Sequence, residues 1–422
     1  MIKPDLTEGR HLMGSKIGII GAGAAGLMAA GRAASLNKDV IVFEKNNRAG
    51  KKILITGKGR CNITNNCSLD ELIANIPGNG RFLYSSFNQF NNIDVMDFFE
   101  NNNVPLKTER GRRVFPVSDY SNDIAKALIK YAENNKVKFK YKSAVKEILC
   151  ENGRVTGVKL ENNDVYELDA IILSTGGLSY PATGSDGDGY KMARKLGHTI
   201  IDPKPSLVPL ETCEKWVSEV QGLALKNVGL TVYDTRGNKV FYDQGEMLFT
   251  HFGVSGPMIL SASRHILDCG YKGAVLSIDL KPALSEESLD LRIQRDFAKF
   301  SRKQFSNSLV ELLPKSLIPV IIELSKIDRE KPVNQITKSE RIGLVSLLKN
   351  LKLTVSKPRP IDEAIVTAGG ISTREINPST MESRIVKGLY FAGEIIDVDA
   401  YTGGFNLTIA FSTGFVAGTN AK

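Results

Sequence analysis

Fourteen residues, Lys52 to Asn65, read KILITGKGRCNITN. They hold three cations (Lys52, Lys58, Arg60), two glycines (Gly57, Gly59), one cysteine (Cys61) and two asparagines (Asn62, Asn65), with no acid among them. Cations interleaved with glycines suit an anion. Glycine lets backbone N–H groups close over a ligand, and the cations neutralise it. Thr56, Asn62, Thr64 and Asn65 add short hydrogen-bonding groups. Cys61 reads as a small packing residue rather than a reactive thiol.

A second anion-binding pattern lies upstream, in KIGIIGAGAAGLMAAGRAASLNKDVIVFEK. The apolar run IGII suits a buried parallel strand. Gly21, Gly23 and Gly26 follow as G-x-G-x-x-G, then an alanine-rich helix, then the strand DVIVFEK ending at Glu44. Gly21 makes the tight turn, Gly23 admits a pyrophosphate to the backbone, and Gly26 lets helix and strand pack closely. The helix N-terminus turns free N–H groups on the phosphates. Glu44, eighteen positions after Gly26, is placed to accept hydrogen bonds from an adenosine ribose. An acid there fits an unphosphorylated 2′-OH, so FAD or NAD rather than NADP.

The far end of the chain favours FAD. GLYFAGEIIDV reads as a strand ending at Gly393 and Glu394, with Asp397 just beyond, and TGGFNLTIAFSTGFVAG as a glycine turn opening a helix of small residues. That is a second helix N-terminus able to face an anion. A dehydrogenase using NAD alone has no use for it.

From Gly21 onward the chain resembles the FAD-binding flavoprotein family that includes aminoacetone oxidase and BaiN-type bile-acid reductase. The matching pieces, in order, are GAGAAGLMAA, GKKILITGKGRCNITN, STGGLSYPATGSDGDGY, FTHFGVSGP, TAGGIS, TMESR and GLYFAGEIIDVDAYTGGFNLTIAFSTGFVAG. The resemblance implies non-covalent FAD with KILITGKGRCNITN lying along it. Lys52, Lys58 or Arg60 would then neutralise pyrophosphate or reduced flavin. It adds Ala24, Ala25, Lys45, Val145, Thr175, Gly176, Gly177, Gly404, Phe405, Asn406 and Leu407 to the expected cofactor contacts, beside Gly393, Glu394 and Asp397.

These residues need a scaffold. The expected class is α/β: a Rossmann-like FAD-binding domain with an inserted antiparallel β-barrel that itself carries a small helical subdomain. The first part of the FAD domain covers 16–198 and the second 357–422. The barrel covers 199–287, helices 288–342, and a return strand 343–356. Within the first part, KFKYKSAVKEIL, GRVTGVKL and VYELDAIILSTGG read as a meander. AIVTAGGIS is expected to rejoin the nucleotide sheet. The insertion begins and ends at that domain, so its barrel is expected to supply one wall of a substrate site, with FTHFGVSGP as its contribution.

Bulk properties narrow the function. The chain has 422 residues and a net charge of +9, enough for two or three domains. No apolar run reaches the length of a membrane span, and the start lacks a signal core. A cytoplasmic protein is expected, with residues 1–15 a loose extension in which Met13 is an alternative start. Five cysteines without C-x-x-C spacing and four histidines argue against a disulfide framework and a metal site. Asp186 and Asp188 have no further ligands near them in sequence.

Flavin carries hydride chemistry itself, so no side-chain triad is required. The expected activity is an FAD-dependent oxidoreductase acting on a small organic substrate. It would reduce an activated double bond with NAD(P)H, or oxidise an amine or alcohol with oxygen. One G-x-G-x-x-G follows a strand, so any NAD(P)H binds transiently. His251, Arg60 and Tyr401 are the candidate catalytic groups. Arg112 and Arg113 either reach the site or line a solvated loop. A flavin-dependent RNA-modifying protein and a non-catalytic FAD-binding protein are the alternatives. The scatter of Lys and Arg among acids and the single Trp disfavour nucleic acid. The sequence leaves the oligomeric state open.

Overall fold

A computed structural model describes residues 15–422, so the expected extension and Met13 lie outside the described residues. The chain divides into two units: residues up to Pro205 together with Ile365–Lys422, and Ser206–Ala364.

The nucleotide unit opens with β1 (Lys16–Ile20), α1 (Ala24–Ser35) and β2 (Asp39–Glu44). There follow α2 (Lys51–Ile55), β3 (Thr64–Asn65) and three short helices, α3 (Leu69–Ala74), α4 (Tyr84–Gln89) and α5 (Asn92–Asn101). Strands β4 (Leu106–Glu109) and β5 (Arg113–Pro116) form a hairpin, and α6 (Ser121–Asn134) leads to β6 (Lys138–Tyr141). Next come β7 (Val145–Glu151), β8 (Arg154–Leu160), β9 (Val165–Glu167), β10 (Ala170–Leu173), α7 (Asp188–Lys195) and β11 (Ile200–Ser206).

In the barrel unit, β12 (Leu210–Thr212), β13 (Ala224–Tyr233), β14 (Lys239–Phe249), β15 (Gly253–Ser255), β16 (Val275–Asp279) and β17 (Leu351–Pro358) close in the order β12-β15-β14-β13-β16-β17. The strand pairs around it are antiparallel. Helix α8 (Pro257–Ile266) follows β15, and α9 (Glu286–Lys299), α10 (Ile318–Ser325) and α11 (Lys338–Lys349) lie between β16 and β17. Leu289, Ile293, Leu344 and Leu348 from these helices join the same buried core as Leu230, Leu276 and Leu353 from the barrel. The helices therefore share the barrel's core rather than forming one of their own.

The chain returns as β18 (Val366–Ile371), β19 (Leu389–Phe391) and α12 (Phe405–Asn420). The main sheet has the order β19-β10-β1-β2-β6 and is wholly parallel. Its inner strands β1 and β10 are buried on both faces, which explains the unbroken apolar runs IGII and AIIL. Small residues bring α1 and α12 together. A methyl on Gly414 would lie 2.4 Å from Ala25 O, and one on Gly418 2.5 Å from Ala29 O.

The structure departs from the expected layout in three places. The run 137–151 is not one strand. Lys138–Tyr141 pairs with β2, and after a turn in which Lys142 N donates to Asn46 O and Ser143 N to Glu44 O, Val145–Glu151 joins β8 and β9. Val366–Ile371 does not enter the main sheet; it pairs with β11 in a separate two-stranded sheet. The joins lie at Pro205/Ser206 and Ala364/Ile365, so the insertion starts a few residues after 199 and ends a few residues beyond 356. The residues from 343 onward continue α11 to Lys349, and the return strand is Leu351–Pro358.

Candidate active site

Strands β1, β2, β10 and β19 run parallel, so the residues that follow them emerge at one edge of the sheet. These are Gly21, Lys45, Ser174 and Ala392. Ligands of open α/β sheets bind outside that edge.

The turn after β1 holds Gly21 at φ +99°, and a Cβ at Gly26 would meet Gly21 O at 2.0 Å. Gly23 is different: nothing lies within 4 Å of where its Cβ would stand, and it caps α1 without a side chain. The first-turn N–H groups of α1 have no intrahelical partner and stand at a positive helix end. Glu44 is buried beside this turn. Its Oε2 accepts from Ala22 N at 2.9 Å, and its Oε1 accepts from Asn46 N and Nδ2, each at 2.8 Å. Lys45 turns away to Asp186 and Asp188, which explains those two acids without a metal. Among the described residues no group of His, Cys, Asp or Glu could hold a metal ion.

Further along the edge, Lys52 Nζ donates to Glu394 Oε2 at 2.7 Å and to Ser179 Oγ at 2.6 Å. Glu394 Oε1 accepts from Ser179 Oγ at 2.9 Å and Thr367 N at 2.8 Å. This cluster ties α2, the loop after β10, β18 and the turn after β19. Gly176 (φ +75°) and Gly177 pass close by, where a Cβ on Gly177 would stand 2.4 Å from Thr367 Oγ1. The sequence points to Lys52 and Glu394; Ser179 and Thr367 lie inside the matching pieces STGGLSYPATGSDGDGY and TAGGIS but are not singled out there. Buried Thr175 Oγ1 and Asn62 Oδ1 have no hydrogen-bond partner among the described residues, and buried polar atoms rarely stay unpaired.

The opening motif forms α2 and a left-handed loop. Thr56 Oγ1 donates to Lys52 O at 2.8 Å. Gly57, Lys58, Gly59 and Cys61 all have positive φ. Cys61 is fully buried, and burial pushes its thiol up to about 12, so it is a packing residue. Arg60 stacks on Phe115 at 4.3 Å and pairs with Glu109 and Asp119. Glu109 and Asp119 hold its guanidinium above its ordinary pKa. Lys52 and Arg60 are thus each held by carboxylates, Lys52 by Glu394 and Arg60 by Glu109 and Asp119.

Strand β3 carries Thr64 into contact with α12. Gly404, at φ +100°, caps that helix without a side chain, and a Cβ there would lie 2.3 Å from Thr64 O. Thr64 Oγ1 meets Thr408 Oγ1 at 2.7 Å. Asn406 clamps the preceding turn: its Oδ1 accepts from Ala400 N at 3.0 Å and its Nδ2 donates to Ala400 O at 2.8 Å. Phe405 is buried and Leu407 half-buried. Tyr401 N donates to Asn75 O, and Asn79 Nδ2 donates to both Asp397 O and Oδ2. Gly393 has φ +77°. Val145 begins β7, two residues after the Ser143–Glu44 backbone bond. His251 belongs to the barrel unit, exposed in the β14–β15 turn with its ring 5.0 Å from Phe252.

Two side-chain-free helix N-termini, an open glycine, a buried acid beside it and unpartnered buried oxygens fit FAD. Together with the parallel sheet and inserted barrel they define an FAD-dependent oxidoreductase. A family model described as "HI0933-like protein Rossmann domain" matches residues 15–420, and the chain belongs to that family. It is 32% identical over 96% of its length to the 3-dehydro-bile acid delta(4,6)-reductase of Clostridium scindens, of which it covers 99%. It is 31% identical over 94% of its length to the ribosomal RNA dihydrouridine synthase of Haemophilus influenzae, covering 96% of that protein. In fold it is similar to 3-ketosteroid delta1-dehydrogenase from Sterolibacterium denitrificans, with a TM-score of 0.52 at 15% identity, covering 96% of this chain and 99% of that one. No described helix is long and apolar enough to cross a membrane.

Proposed function

We propose that the protein reduces a carbon–carbon double bond conjugated to a carbonyl. The observation that carries this reading is the chemistry shared by two relatives that match almost the whole chain. A 3-oxo steroid with 4,6 unsaturation is a conjugated dienone. Dihydrouridine differs from uridine by saturation of a bond conjugated to a ring carbonyl. Both names describe one reaction on different carriers.

Bound FAD, held non-covalently, supplies the hydride, and transient NAD(P)H restores it. The chain holds and orients. The free N–H groups of α1 and the buried Glu44 bind the dinucleotide half, and Lys52 with Glu394 fixes the loop after β10. The double bond takes hydride at the carbon remote from the carbonyl and a proton at the adjacent carbon. Tyr401, in the turn that opens α12, is the proposed proton donor. His251 is a second proposed acid–base group, on residue type and exposure. A small-molecule enone is the first substrate reading. A uracil in RNA is the second, favoured by the exposed arginines Arg110, Arg112 and Arg113 on the β4–β5 hairpin.

The test is anaerobic. Enzyme reduced with NADH or NADPH is mixed with a conjugated dienone, its saturated analogue, and uridine-containing RNA. Return of the visible flavin band with an unsaturated carbonyl compound, and not with the saturated one, is the expected result. Reoxidation by oxygen alone, with reduction by amines or alcohols, would replace the reductase by an oxidase. His251→Ala is expected to slow substrate-dependent turnover at unchanged FAD content.

A further inference from the structure

We propose that the tip of the β4–β5 hairpin is the docking arm for the phosphodiester chain of a single-stranded RNA substrate; this rests on the RNA reading of the proposed reaction. Three arginines, Arg110, Arg112 and Arg113, stand exposed around the tip. The tip is built, not loose. Gly111 and Arg112 sit at φ +75° and +57°, Asn66 N donates to Arg112 O at 2.8 Å, and Glu109 pairs with Arg113 in the ladder. One side chain joins it to the flavin-facing helix end. Asn65 Nδ2 donates to Gly111 O and to Gly403 O, each at 3.1 Å. The arginines are thus one short strand away from the uncapped N-terminus of α12.

The local charges leave these guanidiniums available. Glu109 and Asp119 are already taken by Arg60 and Lys107. Arg112 pairs with Glu71, but both side chains are about half exposed (57% and 48%), and an exposed pair exchanges readily for a phosphate. Arg113 donates through Nε to Arg110 O, and Arg110 has no ion pair among the described residues. Three exposed guanidiniums within four consecutive residues can meet successive phosphates of a chain. Tyr120, 57% exposed just past β5, offers a face on which a base can stack. The three lie within the four residues RGRR, so the hairpin turn presents them together.

The experiment uses FAD-loaded protein and a labelled uridine-rich single-stranded RNA followed by fluorescence anisotropy over a range of salt. Affinity should fall linearly in log–log form for the natural protein. R110A/R113A should bind roughly tenfold more weakly and lower the salt slope by about 1.4, at about 0.7 per phosphate contact. K299A/K303A, which removes two cations beside Phe300 in the barrel unit, should change neither. FAD content and the visible spectrum of each variant report folding. Unchanged binding by R110A/R113A, or an equal loss in K299A/K303A, would overturn the arm. So would absence of RNA binding by the natural protein, while dienone-driven flavin reoxidation would still stand or fall separately. RNA binding lost in R110A/R113A, without reoxidation by any unsaturated carbonyl compound, would keep the arm and remove the reaction.

Discussion

Lys52 and Glu394, 342 positions apart in the chain, meet at 2.7 Å and share Ser179 between them. Their side chains are 26% and 20% exposed, so solvent screens the pair only in part. Lys52→Met leaves Glu394 two donors, from Ser179 and Thr367. It is expected to weaken FAD binding by ~1–2 kcal/mol. A double-mutant cycle with Glu394→Gln should show coupling of about 1 kcal/mol in FAD affinity. Additive effects would mean that the contact contributes nothing as a pair.

Glu44 is expected to serve affinity rather than chemistry, since it stands at the α1 turn with Ala22 and Asn46. Glu44→Ala should weaken FAD binding by ~1–3 kcal/mol, as for a hydrogen bond to a charged group. At saturating FAD the variant should turn over almost normally. The check is a flavin titration followed by kcat at full occupancy, and a hundredfold fall in kcat there would contradict the assignment.

Cys61 makes stability fall on the alkaline side. In the unfolded chain its thiol ionises from about pH 9, whereas burial delays this to about 12 in the folded protein. The folded state therefore holds a proton that the unfolded state releases. The stabilising contribution is complete below pH 9 and is lost as pH rises toward 12. Melting temperatures of Cys61→Ala should depend less steeply on pH between 9 and 11 than those of the natural protein. Iodoacetamide on the native protein should label the exposed Cys213 and Cys269 long before Cys61.

Gly404 and Gly59 separate crowding from conformation. Both have positive φ, but a Cβ at Gly404 would strike Thr64 backbone, while one at Gly59 meets nothing within 4 Å. Gly59→Ala should cost about 1–2 kcal/mol. Gly404→Ala should cost ~3–5 kcal/mol, because clash adds to strain, with FAD content falling alongside. Thermal melts of the two variants decide it; equal costs would refute the difference.

The pieces legible in sequence are those whose geometry is local. Gly21, Gly23, Gly26 and Glu44 lie within one strand–helix–strand unit, where spacing alone dictates position. The same holds for Gly404 opening α12. Lys45 was out of reach because its partners, Asp186 and Asp188, arrive from another loop. Arg60 looked free for the cofactor, yet Glu109 and Asp119 approach it only when the hairpin folds back. Ser179 and Thr367 have no spacing signature, since the Glu394 carboxylate they bind is supplied by a distant turn. KFKYKSAVKEIL reads as one piece of a meander because its break at Lys142 depends on β2 beside it, not on a Gly or Pro within it.

The pairing of β11 with β18 has a consequence for how this chain can change. Ser372 N donates to Thr199 O, and Gly369 lies against Asp202 O, where a Cβ would stand 2.6 Å away. The two strands are therefore antiparallel, and the chain leaves for the barrel unit beside the point at which it comes back, roughly one strand spacing of ~4.8 Å away. A tight two-residue hairpin spans that gap. Everything from Ser206 to Ala364 is topologically a cassette, removable or exchangeable without rethreading the parallel sheet. Recombination could give the same flavin machinery a new module at one docking point, and an engineer could graft a foreign domain there.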